Sequence, residues 1–92
     1  MEKRLGVIAI LIEEKTSVNS LNTILSDFGE LIYGRQGLPI REKGVHVISV
    51  IVEGTTDEIG ALTGKIGRLP GIQVKSLLTR YKEPNDATEG GR

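Results

Sequence analysis

The strongest constraint on this chain is that it carries one design twice. Arg4 to Glu13 reads RLGVIAILIE, and forty residues on, Gly44 to Glu53 reads GVHVISVIVE. Each is a strand-length run of branched aliphatics closed by Glu. Each is followed by a polar turn, a helix-period segment and a shorter β-type segment. That is βαβ repeated, which points to a split-βαβ sandwich. A right-handed crossover in each half gives a four-stranded antiparallel sheet with both helices on one face. The predicted fold class is therefore α+β, a ferredoxin-like βαββαβ sandwich. The two apolar runs are its central strands, and the weaker strands lie at the edges. Such an arrangement hosts many functions and implies none by itself.

Local signals agree with that order. Thr16 or Ser17 can cap a first helix, in which Val18, Leu21, Ile24, Leu25 and Phe28 share a stripe and Gly29 is placed as the C′ stop. Leu31 to Leu38 reads as a Gly-interrupted strand. Pro39 cannot donate to a ladder, so this strand is an edge or ends there. Arg41 to Gly44 is a polar turn, and Val45 to Val52 is the second central strand. Thr55 and Glu58 stand three apart as a capping box. Ile59, Leu62, Ile66 and Leu69 make the second helical stripe, and Pro70-Gly71 breaks the helix. Ile72 to Tyr81 is the last strand. These signals place a single domain over residues 1–82 and a disordered tail over 83–92, whose sole apolar residue is Ala87.

The two central strands are apolar on both faces. Ile8, Ile10 and Ile12 alternate with Val7, Ala9 and Leu11, while Ile48, Val50 and Val52 alternate with Val47, Ser49 and Ile51. Two helices can cover only one face of such a sheet, and a wet face should be polar at every second position. With the bulkier set turned to the helices, Val7, Ala9, Leu11, Val47 and Ile51 point outward and are the candidate interface of a homo-oligomer, a dimer or tetramer.

Composition removes several kinds of chemistry. In 92 residues, twelve basic side chains balance twelve acidic ones, so no overall field gathers nucleic acid or an anionic membrane. With no Cys, the chain has neither disulfide nor thiolate chemistry. No run approaches membrane-spanning length, and no leader is visible, so a cytoplasmic location is expected. One His and no Cys cannot complete a Ser/His/Asp or Cys/His set, and phosphate-loop motifs are missing. The expectation is a protein that is not an enzyme, with no cofactor and no metal site. His46 reads as a partly buried packing residue of its strand. Glu13 and Glu14 are adjacent, so they point to opposite sides and form no catalytic pair. Gly60, Gly64 and Gly67 make a smooth strip on the second helix, fitted either to its own sheet or to another molecule. The segment Gly34-Arg35-Gln36-Gly37-Leu38-Pro39, with Arg41 beyond it, combines guanidiniums with open backbone and suits a carboxylate or phosphate. A bulged, charge-guarded edge strand would also account for it.

From Arg4 to about Arg80 the chain resembles the small regulators of the iron-only hydrogenase system. The likeness is most specific at Gly34-Arg35-x-Gly37-Leu38-Pro39 and at Leu62-Thr63-Gly64-Lys65-x-Gly67-Arg68-Leu69-Pro70-Gly71. That resemblance implies an ACT-like sandwich, oligomerisation and a cytoplasmic regulatory role. It is more distantly similar to the ligand-binding domain of nickel-responsive repressors. Those cluster several His and a Cys at the strand matching Val45–Val52, where this chain offers His46 alone. Their N-terminal DNA-binding segment has no counterpart before Arg4, so direct nucleic-acid contact is not expected. The expected function is a non-enzymatic regulatory module that binds a small anionic metabolite or a protein partner of the hydrogenase system. Ligand contacts are expected at Arg35, Gly37, Arg41, Glu13 and Thr16. The rival is a structural adaptor in hydrogenase maturation that takes no small ligand.

Overall fold

In the computed structural model, residues 2–82 are described, and the expected tail at 83–92 lies outside them. Strand β1 (Arg4–Ile12) leads through a 3-10 turn to helix α1 (Val18–Asp27) and edge strand β2 (Ile32–Ile40). A further 3-10 turn leads to β3 (Val45–Gly54), then to α2 (Thr56–Gly67) and β4 (Ile72–Lys82). The strands order as β2-β3-β1-β4, with every neighbouring pair antiparallel. The two apolar runs are central, as the repeat requires.

Alternation decides which side chains enter the core. Ile8, Ile10 and Ile12 pair with Val50, Ile48 and His46 across the ladder. Directly opposed residues share a face. All of these except His46 are buried with Leu21, Leu25, Ile59, Leu62 and Ile66 of the helices. The helices therefore cover the bulkier set, and the other set faces away.

The ends of the elements follow local chemistry, with two departures. Thr55 and Glu58 form the reciprocal cap of α2: Glu58 N–H donates to Thr55 Oγ1 at 3.1 Å, and Thr55 N–H donates to Glu58 Oε1 at 2.8 Å. At α1, by contrast, Ser17 stands at the N-cap but makes no side-chain cap bond. Its hydroxyl is drawn instead to a tertiary partner, the Pro70 carbonyl at 3.0 Å. Gly29 follows the helix end without a left-handed backbone and opens a 3-10 turn. Among the described residues the left-handed positions are Gly44 (φ 70°), closing the β2–β3 turn, and Gly71 (φ 77°), entering β4. Strand β2 runs on to Ile40, and Pro39 sits within it, as an edge strand permits. No helix among the described residues is long and apolar enough to cross a membrane.

Candidate ligand groove and open sheet face

The inner side of β2 has no buried residue. Arg35, Gly37 and Pro39 pair with Val50, Ile48 and His46, so they share the helix-facing side of the sheet. Helix α1 stands beside them, leaving a groove of about 740 Å³. Its floor is Ile48 and His46 with Arg35, Gly37 and Pro39. Its wall is Val18, Leu21 and Asn22 of α1. Its far end is closed by Glu13 and Lys15 after β1, and by Ile40, Arg41 and Val45 around the β2–β3 turn. The volume lies in the range of small-molecule sites, and the lining mixes aliphatic walls with a few charged groups, as such sites do.

Arg35 reaches across the groove, where its Nη2 donates to Asn22 Oδ1 at 3.2 Å. That bond ties β2 to α1 and presents the guanidinium between them. At Gly37 the space for a side chain is taken by His46, whose Nε2 would lie 3.0 Å from a Cβ. Among the described residues, no ion pair involves Arg35, Arg41 or Lys15. No group of three His, Cys, Asp or Glu side chains converges on His46 among the described residues.

Four of the five expected contacts, Arg35, Gly37, Arg41 and Glu13, line this one groove. Thr16 is exposed and does not line it. Asn22, Lys15 and His46 belong to the groove and were not expected there. Asn22 stands four residues after Val18 and so shares its helix face, which is the signal that places it at the groove wall.

The far end of the groove is held from behind. The Gly71 carbonyl accepts from Glu13 N–H at 2.7 Å and from Glu14 N–H at 3.3 Å. The Ser17 hydroxyl, 5% exposed, donates to the next carbonyl back, that of Pro70. The Pro70-Gly71 turn thus does more than break α2, because it fixes the loop that carries Glu13 and Lys15.

The opposite face of the sheet is open. Val7 pairs with Ile51 and Leu77, and Leu11 pairs with Val47, which pairs in turn with Leu38. These form two apolar rows, and between them runs a row of Gln36, Ser49, Ala9 and Lys75. Leu38 is 60% exposed and Leu77 65%. Both extend the outward set of Val7, Ala9, Leu11, Val47 and Ile51 onto the edge strands. Of the glycine strip of α2, little is fitted to the chain's own sheet. A Cβ on Gly60 or Gly64 would meet nothing within 4 Å, and only Gly67 approaches the sheet, at Val74.

Residues 4–76 match the family described as "TM1266-like: Iron-only hydrogenase system regulator, putative". Among solved structures, protein TM1266 from Thermotoga maritima is 32% identical. That match covers 86% of this chain and 100% of that one, at a TM-score of 0.81. The ACT domain of the GTP pyrophosphokinase from Chlorobium tepidum is 22% identical, with 82% and 99% covered and a TM-score of 0.69. The C-terminal domain of MgtC from Mycobacterium tuberculosis is 9% identical, with 87% and 92% covered and a TM-score of 0.66. The last two share the fold alone. The Chlorobium domain makes the ferredoxin-like sandwich ACT-like in its topology. No curated protein matches the chain.

Proposed function

This chain belongs to the TM1266-like family of iron-only hydrogenase system regulators, and on that premise we propose that it is a non-enzymatic sensor module of the cytoplasm. It takes a small anion in the β2–α1 groove and assembles as a homo-oligomer through the open face of its sheet. A ligand that prefers one assembly or partner-bound state shifts the equilibrium by its difference in affinity. The protein partner it answers to belongs to the hydrogenase system that the family name gives.

The observation that supports the sensor role is that Arg35 and Arg41 both line one aliphatic-walled groove, with no carboxylate paired to either among the described residues. Oligomerisation is supported by the two apolar rows of the open face. At about 25 cal/mol per Å², a patch of several hundred Å² drives association well beyond a weak contact before binding entropy is subtracted.

A thermal-shift screen of carboxylate and phosphate metabolites tests the sensor role. Some member of the screen should raise the melting temperature of the wild-type chain. Arg35→Ala should remove that rise while the unliganded transition stays cooperative. A screen in which no carboxylate or phosphate shifts the wild-type protein favours the adaptor.

A further inference from the structure

We propose that the groove ligand is an elongated dianion, with an acidic group at each end of an apolar spacer. This rests on the groove being a ligand site and adds the shape and charge layout of what fills it. The free cations are not clustered. Arg35 stands partway along β2 beside Asn22, whereas Arg41 and Lys15 stand at the far end, beyond Ile40. Arg35 and Ile40 are five residue steps apart on the strand, about 16 Å of backbone. A compact anion held at the Arg35 guanidinium beside Asn22 leaves the floor toward Arg41 unfilled.

The stretch between the two ends is lined by groups that suit hydrocarbon or a flat ring. Ile48 and Pro39 lie in the floor, Val18 and Leu21 in the wall, and Gly37 leaves the His46 ring uncovered by any side chain of its own. The far end also holds Glu13, which opposes Lys15 and Arg41, so its pull on an anion is weaker than two cations alone would give. Charge-assisted hydrogen bonds at both ends, with the spacer buried between them, make length the property the groove selects.

Isothermal titration of the wild-type chain with straight-chain diacids from succinate to sebacate tests this. The matching monoacids, the matching diol bisphosphates and pyrophosphate serve as companions. A longer diacid or bisphosphate should bind about tenfold or more tighter than its monoacid and than succinate or pyrophosphate. Which of the two series binds tells carboxylate from phosphate ends. Arg35→Ala and Arg41→Ala should each bring the long dianion down to monoanion affinity, and Glu13→Gln should tighten it several-fold. If compact anions or monoacids bind as tightly as the long dianions, the elongated ligand is wrong while the anion groove stands. If none of these anions binds, short or long, both fail.

Discussion

Two glycines of this chain make opposite demands on their surroundings. Gly71 has φ 77°, and a Cβ on it would stand 2.7 Å from Glu14 Cβ. Both the backbone region and the space exclude a side chain, so Gly71→Ala should cost about 1–3 kcal/mol in a denaturant titration. Gly60 lies in an exposed part of α2 with nothing within 4 Å of its would-be Cβ. Gly60→Ala should stabilise the chain by up to about 1 kcal/mol, as an exposed helix position does on losing its glycine. If Gly60→Ala instead weakens the assembly, α2 meets another molecule there. The same two residues show what sequence can and cannot reveal. Pro70-Gly71 is legible as a helix stop from its residue types alone. That its carbonyls hold the Glu13–Ser17 loop is not legible, because those partners lie more than fifty residues away in the chain.

At the scale of elements, caps and edges set how well each piece is anchored. The reciprocal Thr55–Glu58 cap is the whole local start of α2, and Thr55→Ala should lower stability by about 1 kcal/mol by equilibrium unfolding. Helix α1 should be less sensitive to its own cap residue. Ser17→Ala removes a bond to Pro70 rather than a cap, so its effect should appear as loosening of the Glu13–Ser17 loop by hydrogen exchange. Most elements are legible in the sequence to within two residues, since hydrophobic period and turn chemistry agree at each of them. Edge strand β2 is located as closely as the others, but which of its side chains face inward is less legible. Its glycines and Pro39 blur the alternation, and the register shift between Ile32 and Gly34 changes which side chains face the groove. So Arg35 and Gly37 stand out as candidates from their residue types, but their contacts with Asn22 and His46 come only from the fold. Thr16 is adjacent in sequence to the groove loop, yet it turns away from the groove within a single 3-10 turn.

At the scale of the whole molecule, the helices bury one face of the two central strands, and the other face is left largely apolar and open. The two-sided aliphatic pattern of β1 and β3 makes this legible in the sequence itself, because a strand with one wet face would alternate with polar residues. The contribution of the edge strands is less legible, and it is the register that brings Leu38 and Leu77 onto the same patch. Val47→Glu together with Leu11→Lys should give a smaller species by light scattering at micromolar concentration, with the helical core intact by circular dichroism. The groove lies on the other side of the sheet, so the same double variant should still bind an anion if it folds. Native mass spectrometry of the full chain, purified from its own host, tests sensing and assembly together. A dimer or tetramer that carries a small anionic molecule, lost in Arg35→Ala, is the expected result; a monomer that carries no small molecule would contradict both.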